Sequence, residues 1–533
     1  MMNSSRVIVD IPKDKGVHIR AAGSKQEQYV YKYTEHYRND EGNPRHKAKS
    51  IGKVAWEPGK MFPNENYYTL YQVAPLYANI DVWDYGYSYL VMKISRDIGL
   101  LKCLEYAFGE TRALDILIMA AYIIREGGAM DGIDDWQLRN YFAESRLLTS
   151  QSTSKIFGAI TIEQIDKFSR EWIKIAESTG TVCYDVTSVS SYASEMTSVE
   201  SGYNRDGEKL AQFNLGMFCD EITRVPLYYN RYNGSLTDKT NLSYVIANAR
   251  SIGIKRIKMI VDGGFWDDSC FAAFADICDA FTVGMPAWLE KSQRIIAQHG
   301  NGIDNYVNQI CPQGTYCVAQ CDEVYGIPGK ILLYFDALNH VNLCNELSER
   351  INRMSAELSK LKRFPKNRLQ YFEQFFKITN REKGDTFDFE VDFEKIEKLR
   401  KLKGFYLIFT TDTESSPQQI RDHYRAKDVA EKIFDQIKCD MDGNRIRTHN
   451  EKTTDGKVFV MFIACIIRSH LLHSLSQYLT ENSTSLKKVF SQLSNITIVS
   501  NYNGFRFTKA LTKKQKDILA PFKADSSILS SLS

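Results

Sequence analysis

TVCYDVTSVSSY, residues 181–192, decides the fold: it is a run of β-branched and aromatic residues with an acid, Asp185, near its centre. Such a composition favours a strand. Working outward, AQFNLGMFCD (211–220) and VPLYYNRYNG (225–234) supply two more strands joined by a short polar turn, and a helix fits Lys239 to Ser251. KRIKMIVDGGFWDDS (255–269) then reads as a fourth, buried strand ending at Asp262.

Three strands in a meander, a helix and a strand with an acid at its end follow the order of an RNase H-like core. The expected fold class is therefore α/β, a mixed sheet with flanking helices, in which the first and fourth strands are neighbours and bring Asp185 and Asp262 together. Either aspartate alone is as readily a turn cap, and Asp262-Gly263-Gly264 is turn-like by composition. A further acid-bearing stretch stands downstream.

This is SPQQIRDHYRAKDVAEKIFDQIK, residues 416–438. Ser416 can cap a helix, Pro417 suits its first position and Gln419 completes a capping box. At about 100° per residue, Ala426, Val429, Ala430, Ile433 and Ile437 share one face, while Tyr424, Lys427, Glu431 and Lys438 share the other. Asp428 and Asp435 lie within about 60° of Glu431, so periodicity leaves open which carboxylate faces a site. Alone, this is an amphipathic surface helix.

The spacing of Tyr424, Lys427, Glu431 and Lys438 is more specific. Together with Tyr184-Asp185-Val186-Thr187, Gly202-Tyr203-Asn204-Arg205-Asp206-Gly207 with Gln212 to Gly216, Val261-Asp262-Gly263-Gly264 and Arg447-Thr448-His449, it resembles the DDE transposases of bacterial insertion sequences that carry a Tyr-Arg-Glu-Lys signature helix. The helix after Gly456, the tail LKKVFSQLSNITIVSNYNGFRFTKALTKKQKDIL and the N-terminal Ser50-Ile51-Gly52-Lys53 extend the similarity over nearly the whole chain.

The resemblance implies that Asp185, Asp262 and Glu431 are catalytic and hold two Mg²⁺ ions, with Mn²⁺ able to substitute. It implies that Tyr424, Lys427 and Lys438 meet DNA, that double-stranded terminal inverted repeats and target DNA are cut and joined, and that a homodimer acts in the synaptic complex. A bacterial, cytoplasmic location follows from it. Lys427 departs from the usual arginine, keeping the charge but losing the planar fork, and Gly263 replaces a larger polar residue. Neither removes a metal ligand. A domesticated DNA-binding protein without catalysis and an RNase H-like nuclease without strand transfer remain the alternatives.

The 533 residues and 61.1 kDa allow several cores. A net charge of +3 permits a nucleic-acid partner without requiring one. The 11 cysteines contain no CxxC pair and suit reduced thiols; Cys311, Cys317 and Cys321 with Asp322 match no zinc module. No secretory apolar core stands in MMNSSRVIVDIPKDKG, and the apolar run Val458–Ile467 is too short to span a bilayer, so it reads as a buried helix and no membrane partner is expected.

Residues 29–54 alternate around Asn39-Asp40-Glu41-Gly42-Asn43 as a β-hairpin, with Lys32, Arg38, Arg45, Lys47 and Lys49 as candidate phosphate contacts. Helical patterns fill about Tyr87 to Ser178, with Gln164–Lys174 the better candidate for a recognition helix. The separation of Asp262 from Glu431 implies an insertion of roughly 115 residues near Pro286–Lys403. It carries the strand GKILLYFDAL, a long charged helix and the basic run Lys360, Lys362, Arg363, Lys366 and Arg368. By resemblance it covers the transposon end, with one aromatic holding a flipped base. The expected domains are 1–75 (basic hairpin), 76–179 (helical, DNA-binding), 180–285 and 404–475 (catalytic core), 286–403 (insertion) and 476–533.

Overall fold

The computed structural model describes residues 8–22, 27–72, 81–176, 181–193, 195–205, 207–254, 258–379, 387–500, 506–525 and 527–530. Asp206, residues 255–257 and residues 501–505 of the stretches quoted above lie outside these. The chain forms two compact units, one from residues 1–90, 135–143 and 484–533, the other from 91–134 and 144–483. This division cuts across the sequence-based boundaries, because most of the 76–179 helices cluster with the central sheet.

The larger unit begins with helices α1 (Leu100–Phe108), α2 (Glu110–Glu126), α3 (Ser150–Ala159) and α4 (Ile162–Ile175). Capping boxes at Thr149/Ser152 and Thr161/Gln164 start α3 and α4. The proposed recognition helix α4 spends one face on packing: Ile165, Phe168 and Trp172 are buried, and the Trp172 indole donates to the Pro226 carbonyl at 3.0 Å.

Then come β1 (Thr181–Ser190), β2 (Gln212–Asp220), β3 (Pro226–Asn233), α5 (Asp238–Ser251), β4 (Lys258–Val261), α6 (Asp268–Ile277) and β5 (Ala280–Met285). β1, β2 and β3 form an antiparallel meander, β4 lies parallel to β1 with Ile260 opposite Cys183, and β5 lies parallel to β4. Next are β6 (Gln309–Cys311), β7 (Thr315–Val324), β8 (Ile327–Asp336), the long helix α7 (Ala337–Lys360) and β9 (Phe405–Thr410). The result is one mixed nine-stranded sheet, in the order β6-β7-β8-β9-β5-β4-β1-β2-β3. β9 runs antiparallel to both β5 and β8, so strands from within 286–403 extend the same sheet. Only the later part of that segment builds a core of its own, from Leu347, Met354 and Leu358 of α7 with Phe372, Phe375, Phe376 and Ile396.

Helices cover both faces. Val182, Tyr184 and Val186 of β1 pack with Leu242, Val245 and Ile246 of α5 and Phe271 and Phe274 of α6. On the other face, Val189, Phe213, Met217 and Tyr229 meet Val458, Met461 and Phe462 of α10 (Glu451–Glu481), which follows α8 (Pro417–Arg425) and α9 (Asp428–Asp435). α10 is long and apolar enough to cross a membrane, yet 78% of its apolar window is buried within the protein. Gly456 lets it approach α3 closely, since a methyl group there would collide with the Phe157 carbonyl.

In the smaller unit, strands Val17–Ala22, Glu27–Arg38, Pro44–Val54 and Lys60–Pro63, with Val9–Asp10, form a five-stranded sheet. The hairpin turns at 39–43 as the sequence suggests: Gly42 has φ 79° and its N–H donates to the Asn39 carbonyl at 2.8 Å.

Candidate active site

Every residue of β1 is buried except Asp185, which is partly exposed. A strand covered on both faces thus opens at its one acid. Asp262 follows the last residue of β4, beside β1 in the sheet. Glu431 arrives from the 416–438 segment, which does not fold as the single helix expected. The capping box forms, with Gln419 N–H donating to Ser416 Oγ at 3.3 Å and Ser416 N–H to Gln419 Oε1 at 2.9 Å. α8 then stops at Arg425, and shorter-range bonds to Ala426 and Lys427 tighten the joint before α9. The two halves serve different surfaces, α8 against β4, β5 and β6 and α9 against β1 and β2. Beyond α9, residues 436–440 widen into an i→i+5 turn, the Met441 N–H reaching the Gln436 carbonyl at 2.9 Å.

Lys427 stands at the joint. Its Nζ lies 3.3 Å from Asp262 Oδ1 and 3.5 Å from Glu431 Oε1, so one ammonium bridges two carboxylates. Burial works against this charge, but Tyr424, Asp262 and Glu431 outweigh it and hold the Lys427 pKa above the ordinary lysine range. Burial also raises the Asp262 carboxyl, while Lys427 and the N–H groups of Gly263 and Gly264 more than reverse this and leave it below the usual carboxylate range. Asp185 differs: burial pushes it up to about 6, Val186 N–H and Arg205 oppose this, and the charges of Glu431 and Asp262 add to it. Three carboxylates therefore lie within each other's electrostatic reach. Asp428 and Asp435, which helical projection left open, are exposed, and neither pairs with Lys427.

Tyr424 is half-buried and hydrogen-bonds Asp262; burial and that acid push its hydroxyl well above the ordinary tyrosine range. The contact needs Gly284 on β5, where a side chain would collide with the Tyr424 hydroxyl. α8 is pinned on two sides. Buried Arg421 donates to Thr315 Oγ1 at 3.0 Å and to the Tyr406 hydroxyl at 3.3 Å, and with Arg425 it flanks Asp336, the cap of α7. Opposite, His423 Nδ1 meets Glu221 Oε1 at 2.5 Å. Gly284, Asp336, Arg421, His423 and Glu221 were missed by sequence reasoning, since no periodicity marks a partner so distant in the chain.

The remaining candidates lie elsewhere. Lys438 is half-buried in the widened turn, out of α-helical register with Glu431. Lys32, Arg38, Arg45, Lys47 and Lys49 belong to the hairpin of the smaller unit. There Lys32 pairs with Asp14, Lys47 with Glu35 at 2.7 Å and Lys53 with Glu27 at 2.7 Å. Arg38 donates to the Gly42 carbonyl at 3.1 Å, and Arg45 and Lys49 are exposed. In the insertion, Arg368 pairs with Glu357, and Trp288, Tyr306 and Phe393 are the most exposed aromatics described. Cys311 and Cys317 are buried, Cys321 is exposed, and Asp322 is held by Lys291 at 2.9 Å. Among the described residues, no three His, Cys, Asp or Glu side chains form a ready ion cage, the catalytic candidates included.

Fold and site thus define a mixed α/β protein in which Asp185 lies on β1, Asp262 follows the neighbouring β4, and Lys427 joins Asp262 to Glu431. No family model matches the chain, and no curated protein does. A cryo-EM structure of the piggyBac transposase synaptic complex with hairpin DNA aligns over 83% of this chain and 82% of that one, at 10% identity and a TM-score of 0.37.

Proposed function

We propose that the chain is a DDE-class transposase of an insertion sequence, which binds terminal inverted repeats and catalyses metal-dependent strand cleavage and strand transfer in cut-and-paste transposition. The observation that supports this reading is the bridging of Asp262 and Glu431 by Lys427, with Asp185 on the strand beside the one that Asp262 follows. The sequence resemblance supports it independently.

The donor set suits Mg²⁺: hard carboxylate oxygens, of which Asp185 is raised chiefly by burial and in smaller part by Glu431 and Asp262, and whose charge a divalent ion would balance. Asp185, Asp262 and Glu431 would hold it, with Mn²⁺ as a substitute. When bound, such ions lower the pKa of an attacking water or 3′-hydroxyl and stabilise the leaving oxygen of an in-line displacement at phosphorus. The chain's own residues orient the strand. Lys427 offers a phosphate its ammonium, and Tyr424, wedged against Gly284, keeps Asp262 in place. Exposed hairpin cations, Arg45 and Lys49 foremost, offer the duplex backbone a non-specific hold.

Asp185→Ala and Asp262→Ala should each abolish cleavage of a duplex carrying the inverted repeat that flanks the gene, in Mg²⁺, while a gel shift still shows binding. Full cleavage by either variant removes that residue from the site. Joined products rather than simple cuts separate a transposase from a nuclease.

A further inference from the structure

The Lys427 ammonium lies between two of the three carboxylates, at hydrogen-bonding distance from both. We propose that Lys427 is a tethered stand-in cation: without DNA it occupies the gap between Asp262 and Glu431 and competes there with the divalent ion, and a DNA phosphate draws it away, coupling metal loading to DNA engagement. This rests on the reading of the carboxylate cluster as a metal site.

The position of Lys427 favours such exchange. It sits at the joint between α8 and α9, where i→i−3 bonds fix the backbone while the four-carbon stem stays free to rotate. α8 is held by Arg421, Arg425 and His423, which keeps the tether point fixed. The Asp262 and Glu431 side chains are each more than half exposed, so the gap opens outward, where a phosphate would approach. A lysine is a compact charge on a rotatable stem and can leave such a gap; an arginine fork would bind both carboxylates more rigidly. Arg205, whose charge acts on Asp185, is paired with Asp238. An ammonium and a divalent cation held at the same carboxylate oxygens repel each other, so each weakens the other's binding there. By linkage, DNA that removes Lys427 tightens metal binding, and metal tightens DNA binding by the same factor.

Mn²⁺ binding to the full chain, followed by the electron paramagnetic resonance signal of the free ion, tests this without turnover. In the absence of DNA, Lys427→Met should bind Mn²⁺ about tenfold more tightly than the unsubstituted protein, within the usual range of such couplings. Adding a duplex with the flanking inverted repeat should tighten the unsubstituted protein toward the Lys427→Met value and leave Lys427→Met unchanged. Lys427→Arg should bind Mn²⁺ more weakly than either, which keeps the test usable if Lys427→Met melts early. Equal affinity of all three without DNA, while Asp262→Asn loses the ion, overturns the stand-in role and leaves the proposed function intact. Unchanged Mn²⁺ affinity in both Asp262→Asn and Glu431→Gln would overturn the metal site itself, and this inference with it.

Discussion

Two segments rich in cations behave differently. In the hairpin over 27–54, Lys47 finds Glu35 and Lys53 finds Glu27, each on the partner strand of the same hairpin. In 416–438, Lys427 finds Asp262, 165 residues upstream, beside the near neighbour Glu431. Local pairing neutralises a basic stretch on a solvated surface and is worth little. Pairing across the chain gathers acids that would repel each other without a cation, which is the arrangement that the proposed function uses.

The sharpest way to break this contrast is at Glu431. Glu431→Gln keeps shape but loses the charge that the proposed metal site needs, and should lower cleavage by several orders of magnitude, on the order of what loss of a metal ligand costs. Asp428→Asn and Asp435→Asn should stay within about a few-fold of the unsubstituted rate, as solvated neighbours do. A dead Asp428→Asn beside a normal Glu431→Gln would show that the register is wrong.

The next test concerns stability. Arg421 is buried against Thr315, Tyr406 and Asp336, so Arg421→Ala strands partners in the interior and should cost about 3–5 kcal/mol in denaturant unfolding. Arg425, half exposed, contacts the same carboxylate, and Arg425→Ala should cost less than about 1 kcal/mol. Equal losses would mean that α8 is not anchored through its buried face.

Smaller effects are expected at the hairpin. Arg45→Ala and Lys49→Ala should each weaken DNA binding about a few-fold and reduce the salt slope by about 1, whereas Lys47→Ala, already engaged by Glu35, should change less. Glu35→Gln should strengthen binding. The reverse ranking would make the Lys47 pair a DNA contact rather than a neutralised one.

The smallest effect concerns pH. Its hydrogen bond to Glu221 raises the His423 pKa above 6.5, against the opposing effect of burial. A raised histidine pKa contributes stability fully below the unfolded value and loses it as pH rises through the folded one. The melting-temperature advantage over His423→Gln should therefore be largest below pH 6.5 and shrink as the solution becomes alkaline. A gap that widens with pH would mean that His423 is held neutral.

Much of the site's scaffold was legible in the sequence because it is local. Strand patterns around Asp185 and before Asp262, the Ser416–Gln419 box and the turn at 39–43 each depend on residues a few positions apart. The break at Ala426–Lys427 was not legible, since the hydrophobic period runs through it unbroken and only the two surfaces served by α8 and α9 require it. Nor could the sequence show that 309–336 would join the main sheet, because strand partners far apart leave no periodic trace. Asp336 ends its strand and caps the next helix, and nothing local to it announces Arg421 and Arg425 as partners.

The placement of β9 has a practical consequence for anyone wishing to trim this protein to a minimal catalyst. β9 is FYLIFT, and β8 covers the side of it that faces away from β5. Excising 286–403 would bare that side as an apolar strand with unpaired N–H and C=O groups, a template for edge-to-edge association between copies. The shortened chain should come out of cells as inclusion bodies unless charged residues or a proline are placed along Phe405–Thr410 to blunt the bared edge.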